Sequence, residues 1–342
     1  MRKFRVIFAL FVTLALVIVG CTPSGEEETA ENKTVPNVQL PKGGNVEAVK
    51  QLPDKKLRIA FLTFQNNPFW YDVRDGALAA KEYLKNFNTQ VDYIVMGDDL
   101  TSDRVVAAME TAITKQYDAI AVAPVFDGTE GVINKAVSSG IPVITFVAEG
   151  SKKSKRIAFI GQDAISAGQR AGQEIEKITG GTGKIGVITG VFGATQHEQR
   201  MNGALDYLKK NAPGIQVVGK YENRDQAETA YQLTKNMLTA HPDLKVVYVT
   251  AGGPFGAAKA IKDMGLTGKV KVVCYDHIPD NVKYVRSGEI AAAIAQDPFG
   301  QGFDSLVRLY NYLVADQKPE KEFLPVRIDV LTPENVDEMF PE

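Results

Sequence analysis

From Leu57 onward, short apolar runs alternate with segments whose apolar residues recur every three or four positions. The first pattern suits buried strands and the second amphipathic helices, so the alternation predicts βα units built on parallel sheets. Leu57 to Phe64 is apolar enough for a strand covered on both faces, and Phe69 to Leu84 has helical spacing. Further strands are predicted near Val91, Asp118 and Pro142, and helices from about Asp103 and Asp127, where Asp127 and Glu130 are spaced as a capping box. After the lysine-rich turn Ser151 to Lys155, a short run from Arg156 to Ile160 leads into Gly161-Gln162-Asp163 and the pattern restarts. Strands near Lys184, Gln216, Lys245 and Lys269 then alternate with helices near Asp163, His197, Asp225 and Phe255. Ala291 to Ala295 reads as one more strand, Asp297-Pro298 opens a helix to about Val314, Leu324 to Leu331 is extended, and Thr332-Pro333-Glu334 starts a last short helix. The expected fold is α/β: two doubly wound parallel-sheet lobes with a cleft between them.

The first strand hands over to the first helix through Gln65-Asn66-Asn67-Pro68. Pro68 fits the first helical position and Asn67 the N-cap. In open α/β sheets this edge is where ligands bind, because strand ends and helix N-termini converge there. Asn67 beside Phe69 and Trp70 can hydrogen-bond hydroxyls and stack on the apolar face of a sugar; the same residues also suit a capped helix with two core aromatics.

A length of 342 residues suggests two domains. Arg2, Lys3 and Arg5 precede an apolar run from Val6 to Val19 and then Gly20-Cys21, the layout of a secretory signal over residues 1–20. Ile18-Val19-Gly20-Cys21 looks like a bacterial lipobox with Cys21 as the lipidated mature N-terminus, and the run is short for a spanning helix. Residues 21–56, rich in Pro, Gly, Glu, Asn and Thr, read as a disordered tether. Removing the three basic residues takes the formal net charge from −2 to −5, which gives nucleic-acid binding no support. Besides Cys21 the chain has only Cys274, a core thiol by its apolar surroundings, and His197, His241 and His277 lack metal-ligand spacing. Gly180-Gly181-Thr182-Gly183-Lys184 precedes its strand and lacks the following Ser or Thr, so it is a turn and not a phosphate loop. With no nucleophile elbow or dinucleotide fingerprint after any predicted strand, the expectation is a protein without enzymatic activity or cofactor.

Four stretches resemble the bacterial periplasmic sugar-binding proteins of the ribose-binding type, which share a fold with the effector domains of lactose-repressor relatives. They are NNPFW at Asn66 to Trp70, IPVITF at Ile141 to Phe146, LTAHPDLKVVYV at Leu238 to Val249, and VVCYDHIPD through IAQDP at Val272 to Pro298. The resemblance covers about Leu57 to Leu331. It implies two lobes joined by three crossings, near Gly161-Gln162, Gln296-Asp297 and Arg327-Ile328. The N-terminal lobe would be residues 57–161 plus 297–327, and the C-terminal lobe 162–296 plus 328–342.

By position, the resemblance makes Asn67, Asp276 and Gln296 readers of ligand hydroxyls, with Phe69 and Trp70 stacking. The chain also departs from the family pattern. Val147-Ala148, followed by Glu149, replaces an Asp-Arg pair, and Glu198, with Gln196 and His197 close by, stands where a ligand-contacting arginine is expected. Asp225 replaces an aromatic and Thr250 an asparagine. A carboxylate cannot replace a bidentate arginine without changing what is recognised, which counts against ribose itself. Asp225 with Glu228 equally makes a capping box, and Glu149 equally a solvated loop carboxylate.

The function so implied is a lipid-anchored, extracytoplasmic, monomeric solute-binding protein that passes a monosaccharide or polyol to a membrane ABC permease. The alternative is a sensor subunit presenting sugar to a histidine kinase or chemoreceptor through the same cleft.

Overall fold

The computed structural model describes residues 37–341 apart from Asn66 and Asp98; the expected signal segment, Cys21 and the expected tether up to residue 36 lie outside the described residues. In the first half β1 (Leu57–Thr63), β2 (Thr89–Val95), β3 (Ala119–Val122), β4 (Val143–Val147) and β5 (Ala158–Gly161) alternate with α1 (Phe69–Lys85), α2 (Ser102–Thr114) and α3 (Glu130–Ser138). The chain then passes through α4 (Ala164–Thr179), β6 (Thr182–Thr189), α5 (Thr195–Asn211), β7 (Gly214–Glu222), α6 (Ala227–Ala240), β8 (Leu244–Val249), α7 (Pro254–Asp263), β9 (Lys271–Tyr275), α8 (Pro279–Arg286) and β10 (Ile290–Ile294). It ends in α9 (Pro298–Ala315), β11 (Phe323–Pro325), β12 (Val330–Leu331) and α10 (Val336–Met339).

The strands form two sheets, ordered β11-β5-β4-β3-β1-β2 and β12-β10-β9-β8-β6-β7. The pairs are parallel except β10 with β12. Parallel strands need helices on both faces, and the fully buried β3 and β4 and the buried Val246 to Val249 of β8 follow from that. Phe61 stacks on Phe146 at 4.6 Å inside the first lobe, while two apolar clusters, one around Val247 and Ile261 and the other around Ala171 and Tyr248, build the core of the second.

In each sheet the order reverses once, between β1 and β3 and between β6 and β8. Crevices open beyond the carboxyl ends of strands at such switch points. Three segments cross between the sheets: β5 to α4, β10 to α9, and β11 to β12. They bond to one another through Val326 N–H to Gly161 O (2.9 Å), Ala295 N–H to Asp329 O (2.8 Å) and Gln162 Nε2 to Ala295 O (2.7 Å). This is the expected two-lobed fold with three crossings.

Three local expectations are corrected. Residues 37–56 are not an open tether: Ala48 is buried, and Val38, Leu40, Val46, Val49 and Leu52 pack on the first lobe. Side chains of α9 hold this strap, since Asn45 N–H and Nδ2 donate to Asp304, Val49 N–H donates to Asn311 Oδ1 at 2.9 Å, and Asn311 Nδ2 donates to Glu47 O at 2.9 Å. The Asp127–Glu130 capping box does not form: Thr129 is the N-cap, Asp127 accepts from Ser151 N–H and Oγ, and Glu130 accepts from Gly128 N–H. Helix α8, which has no counterpart among the predicted helices, starts at Pro279. Other ends follow the sequence: Asp163 and Asp297 cap α4 and α9 through Ser166 and Gly300 N–H, and Gly180 closes α4 in the left-handed conformation that only glycine adopts cheaply.

Candidate ligand-binding site

A cavity with about 450 Å³ of empty space, its mouth included, lies where the carboxyl ends of both sheets face each other. The first lobe supplies Asn67 and the start of α1, the loops after β3 and β4, and Leu100. Asn67 Oδ1 accepts Phe69 N–H at 3.0 Å, so Pro68 is helical and Asn67 is the cap, with the assigned helix start one residue later. That cap aims Phe69 and Trp70 at the cavity, where both are buried and meet edge-on at 5.3 Å.

The second lobe supplies the charged wall. Asp276, just past β9, accepts Gln296 Nε2 at 2.7 Å on Oδ1. Burial raises its carboxyl above the ordinary aspartate range, opposed by the Arg200 guanidinium. Gln296 Oε1 in turn receives Gln196 Nε2 at 3.3 Å, and the same Nε2 reaches Val147 O at 2.9 Å. Gln196 on α5 thereby joins the two lobes directly across the cavity. The next residue, His197, also lines it; burial lowers its imidazole below the usual histidine range, so it is neutral at pH 7.

Arg200 is the residue that sequence reasoning missed. It lines the cavity at 2% exposure, stacked 3.9 Å over the Tyr275 ring, with Nε on Gln162 Oε1 (2.9 Å), Nη1 on Thr250 O (3.1 Å) and, among the described residues, no hydrogen-bond partner for Nη2. An arginine thus does line the cavity, two residues beyond the position at which the family resemblance placed one. Gln196 and Arg200 are four apart and share one face of α5, the spacing that would have found it.

Glu198 faces elsewhere and accepts Gly193 N–H at 2.9 Å, away from the cavity wall. Glu149 is also absent from the wall: Arg156 holds it at 2.5 and 2.8 Å, and Thr145 Oγ1 donates to it. It is therefore not a solvated loop carboxylate either. Thr250 lies behind the wall, its hydroxyl on Thr189 Oγ1 and its carbonyl on Arg200. Asp225 lines the cavity and makes no capping box, because α6 starts at Ala227; its Oδ1 accepts Gly252 N–H at 2.8 Å. A side chain on Gly252 would meet both Asp225 and the Asn67 amide of the opposite lobe, so this close approach requires glycine.

Four wall residues, Val125, Val147, Asp225 and Asp276, have positive φ (60°, 67°, 59° and 74°). Valine there is strained, and such strain gathers where the surroundings fix a binding geometry. Val147 is held by Gln301 Oε1 on its N–H (2.9 Å) and by Gln196 on its carbonyl. Among the described residues, no three of His, Cys, Asp or Glu converge as metal ligands would. Cys274 is buried in β9 behind Asp276.

A family model described as the periplasmic binding protein domain matches residues 59–317. A D-allose-binding periplasmic protein of Escherichia coli is 28% identical over 250 residues, 70% of this chain and 79% of that protein. A D-ribose/D-allose-binding protein of Pseudomonas aeruginosa is 27% identical over 291 residues, 81% of this chain and 88% of that protein. Among solved structures, an ABC transporter solute-binding protein from Agrobacterium vitis with bound D-fucose is 29% identical, with a TM-score of 0.77 over 82% of this chain and 97% of that one.

Proposed function

We propose, from the premise that this chain belongs to the periplasmic binding protein family, that it captures a monosaccharide or related polyol in the interlobe cavity and delivers it to a membrane ABC permease. The observation that carries this is the pairing of opposite walls: Phe69 and Trp70 on one lobe, and Gln196, Arg200, Asp276 and Gln296 on the other. Aromatic faces take the C–H side of a sugar ring, and charged hydrogen bonds to hydroxyls contribute roughly 1.5–3 kcal/mol each. Asn67, Asp225 and His197 complete the set of contacts. The relatives' names give allose and ribose as their ligands, and the Agrobacterium protein's description as an ABC transporter component favours import over a receptor. No chemical step is assigned to the chain.

Calorimetric titration with monosaccharides tests this. One sugar is expected to bind at one site per chain, and Asp276→Ala and Arg200→Leu are expected to abolish that heat while each still unfolds cooperatively. Full affinity in both variants would place the site elsewhere.

The chain is further proposed to be held at an extracytoplasmic membrane face by lipid on Cys21. After cell fractionation, wild-type protein is expected with membranes and Cys21→Ser in the soluble fraction. Wild-type protein already soluble would end the anchoring idea.

A further inference from the structure

The two walls of the cavity are chemically unequal. On the second lobe, side chains that hydrogen-bond or carry charge dominate: Gln196, His197, Arg200, Asp225, Asp276 and Gln296. On the first lobe Asn67 is the polar exception, and beyond the aromatic pair the wall is aliphatic, made of Leu100, Val125, Val147 and Ala148. The last three are 3–4% exposed and therefore dry. Around Val147 and Ala148 the main chain is engaged as well: Val147 N–H is taken by Gln301, Val147 O receives Gln196, and Ala148 N–H bonds Phe146 O, while the Asn67 side chain already accepts Phe69 N–H on Oδ1. The aliphatic group is also distinct from the rings of Phe69 and Trp70, which suit the flat C–H face of a pyranose. A ligand hydroxyl set against these four side chains would lose its water and gain no partner, whereas a methyl would be welcome.

We infer that the cavity selects a deoxyhexose, one carrying a methyl where the parent hexose carries a hydroxymethyl, with its hydroxyls on the Arg200–Asp276 wall and the methyl against Leu100, Val125, Val147 and Ala148. This rests on the sugar-binding reading above and narrows its substrate class. An apolar pocket discriminates against an added hydroxyl by about a hundredfold at most, so the expected preference is about ten- to a hundredfold.

The test is calorimetry on matched pairs: D-fucose with D-galactose, L-fucose with L-galactose, L-rhamnose with L-mannose, and quinovose with D-glucose, with D-ribose and D-allose alongside. In each pair that binds, the deoxyhexose is expected to be the tighter by about tenfold or more. Ala148→Ser and Leu100→Ser, which each place a hydroxyl on the aliphatic wall from a different segment, are expected to shrink that ratio, and either one that folds suffices. A parent hexose binding as tightly as its deoxy partner, or a ratio untouched by the folded variant, overturns the inference. Binding of ribose or allose with no deoxyhexose bound also overturns it and leaves the sugar-binding reading standing. No heat with any of these sugars overturns both.

Discussion

Asp276 concentrates several constraints in one residue. It directly follows the buried run Val272 to Tyr275 of β9, adopts a left-handed backbone, and is buried against Gln296 with Arg200 and His277 nearby lowering its carboxyl pKa and Asp225 raising it. Burial outweighs the favourable charges, so the folded carboxyl titrates above an unfolded aspartate. Between those two values the native state holds the extra proton, so ligand-free stability from this group rises as pH falls through the window. Ligand capture by the carboxylate runs the opposite way and weakens over the same window. Measured against Asp276→Asn, wild-type protein is therefore expected to gain relative stability on acidification and to lose relative affinity; parallel losses of both would make Asp276 structural. At neutral pH Asp276→Asn is expected to cost roughly 1.5–3 kcal/mol of binding. The sequence made Asp276, Gln296 and Asn67 legible because each follows an apolar strand or opens a helix. It hid Arg200, which no cap or motif marked, and only the helical repeat of α5 turns Gln196 and Arg200 inward together.

At the scale of elements, strands and long helices were readable wherever apolar period and caps agreed, as in β1 with α1 or Asp297 with α9. Helix α8 spans only Pro279–Arg286, too short for a period to stand out, although Pro279 marks its first turn. The strap was illegible for a different reason. Its scattered Val38, Leu40, Val46, Val49 and Leu52 have no period, and its backbone bonds include those to Asp304 and Asn311, the first of these 259 positions away from Asn45. Asn311 both accepts from Val49 and donates to Glu47, and is 3% exposed. Replacing it with alanine strands both strap groups, so Asn311→Ala is expected to lower unfolding free energy by about 1–3 kcal/mol with sugar affinity unchanged. Urea denaturation checks the first part; an unaltered midpoint would mean that the strap contributes nothing to the lobe's stability.

For the whole molecule, the three bonded crossings predict that the lobes open and close about the cavity as their principal motion. Gln196 Nε2 to Val147 O joins the two lobes directly across the cavity. Ligand-free Gln196→Ala is accordingly expected to show a larger radius of gyration by small-angle scattering than ligand-free wild type, and equal radii would assign closure to other contacts. The central claim, that a sugar binds between these lobes, is tested most directly by the emission of Trp70. It is the chain's single tryptophan, it lies on the cavity wall, and its ring is buried beside Phe64 and Phe69. Titrating the sugar found by calorimetry is expected to change that emission saturably, with the same dissociation constant, and to change nothing in Asp276→Ala at the same concentrations. A sugar that binds by calorimetry and leaves Trp70 emission unchanged would contradict the account.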